Sequence, residues 1–260
     1  MARRATWVSD RPDATDLVAW ATRHDVAELF LAVGADVGKS PDLPWVRSVA
    51  GLAHEAGLRV SALGGDAGWL ERPEDALAWL HAVVSTDLFD GVHADIEPWA
   101  RTDWESHRPS LVALYLDLLR ALASECPLPL EADLAHWLHE VPTQSAAPLD
   151  AAVMNMVDAV TVMSFRNFAT GPDSVTAIGG PSLATAKRIG LPCRLAVETN
   201  YLGPDPVSQK QTFHGMDRPT MERAMADVDA AESDVSSYNG IAVQDYAGWR
   251  AIRTRWPAGH

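Results

Sequence analysis

The stretch that decides the fold is Phe89-Asp90-Gly91-Val92-His93-Ala94-Asp95-Ile96-Glu97-Pro98-Trp99. Read as a β-strand, its side chains point alternately to opposite faces. Val92, Ala94 and Ile96 form an apolar face, and His93, Asp95 and Glu97 form the other. Burying two carboxylates and an imidazole is costly unless each is paired or wetted. A strand that turns such a row inward, and is stopped by Pro98, marks a functional site more than a packed core.

Working outward, seven more strand-like runs flank this one: Ala5–Ser9, Glu28–Gly34, Leu58–Leu63, Leu130–Leu134, Ala159–Phe165, Arg194–Asn200 and Gly240–Tyr246. Together with Gly91–Glu97 they make eight. Helical spacing of apolar residues lies between them, in Pro44–Gly57, Pro73–Thr86 and Ser110–Glu125, and Pro219–Ser236 opens with a helix-starting proline. Regular strand–helix alternation implies parallel strands joined by helical crossovers. Eight such units predict an α/β fold, a closed (β/α)8 TIM barrel, and the absence of a Pro/Gly/Ser linker predicts one domain over residues 1–260.

Turns entering strands are short and carry glycine, as in Ala56-Gly57, Ile189-Gly190 and Asn239-Gly240. Segments leaving strands are long: 98–109, 135–148, 166–174 and 201–218. The working face of such a barrel is built from the segments that follow its strands, so Glu97 falls on that face. The longest, 201–218, is expected to cover the site and to be removable without loss of stability.

Composition narrows the function. With 260 residues, 47% of them hydrophobic, the chain can bury a large core. A net charge of -14 argues against nucleic acid or an anionic membrane as partner. The start, from Met1 to Trp7, shows no apolar signal core, and no run approaches the ~18 apolar residues of a membrane span, so a cytoplasmic location is expected. Two cysteines, Cys126 and Cys193, read as structural.

The same alternation places Glu131 and Asp133 inward on the fifth strand, Glu198 and Asn200 on the seventh, and Gln244 and Tyr246 on the eighth; the sixth is ambiguous between Thr161, Met163, Phe165 and Val162, Ser164. Crowded carboxylates cannot all ionise, and splitting their proton affinities produces the acid and base that glycoside hydrolysis uses. Glu131 lies deeper and reads as a supporting partner. Trp99, Trp104, Trp137, Phe165, Phe168, Tyr201 and Trp249 follow strands, where flat rings can cover the C–H faces of a sugar. The three lysines, Lys39, Lys187 and Lys210, lie outside the strands, so Schiff-base chemistry is not expected. No cofactor and no metal are expected, although Asp95, Glu97 and Asp133 are an oxygen set of the kind Mg2+ or Ca2+ takes, which stays open.

Asp90-Gly91-Val92-His93-Ala94-Asp95-Ile96-Glu97 resembles the strand-4 signature of family 18 glycoside hydrolases, Asp-Gly-x-Asp-x-Asp-x-Glu. The resemblance implies that Glu97 is the general acid and that Asp95 orients a substrate acetamide. Val162-Met163-Ser164-Phe165 is similar to that family's Met-x-Tyr motif. Two departures stand out: His93 replaces an Asp, and Phe165-Arg166 stands where Tyr-Asp is usual. Glu97-Pro98 and Glu198 also resemble the paired glutamates of clan A retaining glycosidases, which would make Glu198 a nucleophile. Val-His-Ala-Asp-Ile-Glu-Pro, Val-Glu-Thr-Asn and Phe-His-Gly are similar, too, to bacterial barrel proteins of unassigned activity.

These readings together predict a glycoside hydrolase-like enzyme acting on a small glycoside or glycosylated metabolite by carboxylate acid/base catalysis. Its catalytic residues are expected to be Glu97, Asp95 and Glu198. The expected substrate contacts are His93, Asp133, Trp99, Trp137, Phe165, Arg166, Asn200, Gln244 and Tyr246. The alternatives are a repurposed barrel performing proton transfer as a lyase, isomerase or cyclase, and a non-catalytic barrel that binds a sugar or metabolite.

Overall fold

Eight parallel strands close into a barrel in sequence order. The structure, a computed structural model, describes residues 4–254. Positions 1–3 and 255–260, which the one-domain expectation and the reading of the N-terminal start include, lie outside the described residues.

The first half runs β1 (Arg4–Val8), α1 (Ala14–Arg23), β2 (Val26–Ala32), α2 (Leu43–Glu55), β3 (Arg59–Gly64), α3 (Pro73–Val84), β4 (Gly91–Ala94) and α4 (Trp104–Glu125). The second half runs β5 (Leu130–Ala135), α5 (Leu149–Met154), β6 (Ala159–Met163), α6 (Val175–Ile189), β7 (Cys193–Glu198), α7 (Pro206–Gln211), α8 (Arg218–Glu232), β8 (Tyr238–Gln244) and α9 (Tyr246–Ala251). β8 pairs with β1 through Arg4–Ile241, Ala5–Ala242 and Thr6–Val243, which leaves no open sheet edge.

Alternation along each strand sorts side chains into two cores. Leu29, Leu31, Val60, Val92, Ala94, Ile96, Ala132 and Leu195 face outward and pack with the helices. Ala5, Trp7, Phe30, Leu63, Ala196 and Ala242 fill the barrel interior. Asp13, Ser174 and Asp217 cap the N-termini of α1, α6 and α8, each accepting a backbone N–H three residues on.

Several sequence expectations are corrected in detail. The fourth strand ends at Ala94, not Glu97, although Asp95 N still donates to Gly64 O at 2.9 Å. Pro98, with no N–H to offer, opens a short 3-10 turn, Pro98–Ala100. The fourth helix begins at Trp104 and kinks at His107, two residues before Pro109, instead of starting at Ser110. The segment 201–218 is a strap more than a removable cover. It contains α7, Thr212 bridges to Glu198, and Phe213 is fully buried. Asn167 also ties it down, its side chain donating to Gln209 O at 2.8 Å and Thr212 O at 3.0 Å.

Candidate active site

β4 and β5 bring His93, Asp133, Asp95 and Glu97 into one row rising toward the C-terminal end of the barrel. At its foot His93 Nε2 lies 2.8 Å from Asp133 Oδ2, and Trp7 Nε1 donates to the same oxygen at 3.3 Å. The His93 ring stacks on Phe30 with centroids 3.8 Å apart. Above it the carboxyl of Asp95 lies against those of Asp133 and Glu97 and interacts with both. Trp99 Nε1 donates to Glu97 Oε2 at 3.2 Å. Asp95 Oδ1 and Asp133 Oδ1 are buried with no N–H or O–H partner, as expected where carboxyls meet and must share a proton.

Beneath this row lies a charged layer. Arg194 of β7 bonds Glu131 and Glu28, each at 2.5 Å, while Thr161 Oγ1 donates to Glu131 and Ser61 Oγ to Glu28. Thr161 therefore faces the interior, which resolves the ambiguous sixth strand. Glu131 is a supporting residue here, as its depth suggests. Glu28, Arg194 and Trp7 were not singled out from the sequence. The alternation that turns Phe30 and Ala196 inward also turns Glu28 and Arg194 inward, so the signal was present.

The electrostatics follow from depth. Burial, then the Asp133 charge, pushes Asp95 up to about 7, against the opposing pull of His93. Burial and the neighbouring Asp95 push Glu97 up to about 7 as well. Burial alone would lower His93, but the Asp133, Glu131 and Asp95 carboxyls outweigh it and hold the imidazole at about 9. Burial raises Asp133 too, and the imidazole pulls it back. Burial likewise opposes ionisation of Glu131, yet Arg194 and His93 win and hold it below its ordinary range. The pair at the top of the row thus has proton affinities near neutral, suited to proton transfer there.

The other expected site residues fall in different places. His93 and Asp133 are 0% and 1% exposed, too deep to touch a ligand above Asp95. Trp99 and Trp137 meet edge to face at 6.0 Å, and Trp104 packs on Trp137, so an aromatic wall stands beside Glu97. Phe165 packs against both the interior and the outer core. Arg166 is bound to Asp173 at 2.6 Å and to its neighbour's carbonyl, Phe165 O, at 2.7 Å.

Glu198 is 4% exposed, and its Oε1 accepts from Thr199 N and Asn200 N at 2.7 Å and from Asn200 Nδ2 at 3.0 Å. Burial raises it, and the groups acting on it are Asn200, Thr199 and Asp245, a set separate from the Asp95 and Trp99 that act on Glu97. Gln244 pairs with Glu198 across β7 and β8. Tyr246 lies outside the site. It begins α9, its ring standing edge-on to Trp20 at 5.0 Å in the helix layer.

Next to Asp95 a cavity of about 360 Å³ opens between the ends of β2, β3 and β4, lined by Arg11, Val33, Leu63, Gly64 and Gly65. Gly65 is required there: a Cβ on it would stand 1.7 Å from Asp95 O. Among the described residues, no group of three or more His, Cys, Asp and Glu side chains is arranged to hold a metal ion, and no helix is long and apolar enough to cross a membrane.

Solved structures share this architecture. The chain is similar to the endo-beta-N-acetylglucosaminidase from Cordyceps militaris, with a TM-score of 0.61, 13% identity, and 99% of this chain and 85% of that chain covered. It is similar to the spore cortex-lytic enzyme SleL of Bacillus cereus, with a TM-score of 0.60, 11% identity and coverage of 96% and 73%. A chitinase from Chromobacterium violaceum follows, with a TM-score of 0.58, 12% identity and coverage of 98% of both chains. The likeness is one of fold. No family model matches the sequence, and no curated protein matches it.

Proposed function

We propose that this barrel is a glycoside hydrolase in which Glu97 is the general acid/base and Asp95 its partner, and that its substrate carries an acetamido group beside the scissile bond. The observation that carries this reading is the juxtaposition of the Asp95 and Glu97 carboxyls, which interact directly and are each pushed up to about 7. Retaining pairs stand ~5–5.5 Å apart across a sugar and inverting pairs ~6.5–9.5 Å apart. Two carboxyls that share a proton are closer than either spacing and lie on one side of the ring. Neither can attack the anomeric carbon while the other protonates the leaving group. Glu198, whose carboxylate is engaged by its own turn, is the weaker candidate for a nucleophile and is read as an organiser of the β7 end.

A nucleophile supplied by the substrate removes the difficulty. Glu97 gives its proton to the glycosidic oxygen as the C–O bond breaks, and the acetamide oxygen closes on the anomeric carbon. Asp95 accepts the acetamide N–H and takes up the positive charge that develops there. Water, giving a proton back to Glu97, then opens the ring and yields the retained sugar. The aromatic wall of Trp99 and Trp137 excludes water and offers flat faces to the sugar. The structural neighbours, among them a chitinase and an endo-beta-N-acetylglucosaminidase, agree with a substrate of this kind.

The test uses nitrophenyl β-glycosides of N-acetylglucosamine and of glucose. The acetamido sugar alone should be cleaved. Glu97→Gln and Asp95→Asn should each cost about 10²-fold or more in kcat, whereas Glu198→Gln should cost less than about tenfold. Equal cleavage of the glucoside, or a Glu198→Gln loss as deep as that of Asp95→Asn, would overturn the assignment.

A further inference from the structure

We propose that His93 is the positioning residue of the carboxyl row: as an imidazolium it grips Asp133 from below, keeps that carboxyl ionised, and leaves the mobile proton to Asp95 and Glu97. The inference deepens the glycosidase reading of the site and takes its meaning for catalysis from it.

The geometry fixes the ring. His93 is fully buried, stacked on Phe30 at 3.8 Å and met edge-on by Trp7 at 5.7 Å, so it cannot swing away from Asp133. Two N–H donors, His93 Nε2 and Trp7 Nε1, converge on Asp133 Oδ2. Two converging N–H donors, one of them cationic, favour the ionised form, which accepts more strongly than the acid and so opposes the effect of burial on Asp133. From β5, Glu131 Oε1 also faces the ring, 3.9 Å from Nδ1, and from β4 Asp95 acts on it from above. The elements carrying Trp7 and Phe30 present uncharged rings. Arg194 of β7 stands 5.5 Å from the Phe30 ring, and its charge is engaged by Glu28 and Glu131. The field at His93 is therefore negative, and the ring carries the compensating charge.

Donors gather at the foot of the row. Asp133 has two N–H partners, Asp95 Oδ1 has none, and Glu97 has one, from Trp99 at 3.2 Å. A carboxyl with fewer donors holds its proton more tightly, so the proton belongs to Asp95 and Glu97 rather than to Asp133.

Carboxyl 13C and imidazole 15N NMR on the full chain, without substrate, tests this. His93 should carry both ring protons at pH 7 and titrate near about 9. Asp133→Asn should bring that titration down by more than about one pH unit, a tenfold change in proton affinity. His93→Gln should raise the Asp133 titration by a similar margin. On an N-acetylglucosaminide, His93→Gln should displace the pH profile of kcat and cut kcat about tenfold while KM stays within about threefold. A neutral His93 at pH 7, or a titration that Asp133→Asn leaves in place, overturns the proposal, and both are read even if His93→Gln does not fold. Failure to cleave any N-acetylglucosaminide would sink the glycosidase reading but leave these titrations, and the charge assignment, intact.

Discussion

Replacing Glu97 by Gln should stabilise the protein at alkaline pH, and the gain should vanish as pH falls. Glu97 is raised from its ordinary 4.5 to about 7 in the folded chain. Between those values the native state holds a proton that the unfolded state has lost, so stability falls as pH climbs through this window. At ~1.4 kcal/mol per pH unit, full ionisation at pH 8 costs the fold about 3 kcal/mol. Water reaches part of the side chain, and Asp95 titrates with it, so the cost expected in practice is about 1–2 kcal/mol. Glu97→Gln removes that cost while its amide can still donate to Asp95. For a chain of this size the melting temperature should rise by roughly 3–6 °C at pH 8 and by almost nothing at pH 4. Calorimetry or urea unfolding of both proteins from pH 4 to 8 makes the comparison. Parallel stability curves across that range, or a variant less stable at pH 8, would refute the claim that burial and Asp95 strain this carboxyl.

Two structural predictions stand beside it. Gly65→Ala should cost about 2–3 kcal/mol and disturb Asp95, because the new Cβ would lie 1.7 Å from Asp95 O and 2.3 Å from Asp95 C; a loss within about 0.5 kcal/mol in urea unfolding would mean the β3 and β4 ends are not held together as described. Phe213→Ala should cost about 3–5 kcal/mol, since its ring is fully buried under the 201–218 strap. A melting temperature unchanged in that variant would return the segment to the role of a loose cover.

How much of this was legible in the sequence depends on depth. Alternation says which face a side chain takes, and it correctly turned His93, Asp95, Asp133 and Glu198 inward. It does not say how far down the barrel they sit. Two residues along a strand are about 6.6 Å, so His93 lies a full layer below Asp95 and is sealed by Phe30 and Trp7. That is why a residue expected at the substrate became part of the floor. Tyr246 was misplaced because the alternation was carried past Gln244, where Asp245 caps a new helix and the strand rule no longer applies. For Glu198 the face was right, but the backbone turn after it captured the carboxylate, and the adjoining Thr199-Asn200 was the only hint.

The layering also explains why the row's charge is uncompensated only at its top. Glu28 and Glu131 are matched against Arg194 through two short bonds, and His93 is matched against Asp133. Arg59 Nε stands 3.6 Å from Glu28 as well, so Glu28, Glu131 and Asp133 are set against Arg194, Arg59 and His93, and the layer beneath Asp95 is balanced. Burial, and then the adjoining Asp133 carboxyl, raises Asp95, and burial with Asp95 beside it raises Glu97. Breaking the lower layer from one side would strand a buried charge and cost several kcal/mol, so it is fixed by stability as much as by chemistry. The family 18 signature that the fourth strand resembles has a carboxyl where His93 stands. A carboxyl there would add a second acidic group at the foot of the row and a second proton able to move between foot and top. An imidazolium instead closes the foot with a charge that does not titrate below about 9. Near neutral pH the proton exchange is then left to Asp95, which borders the open cavity, and to Glu97 beside the aromatic wall.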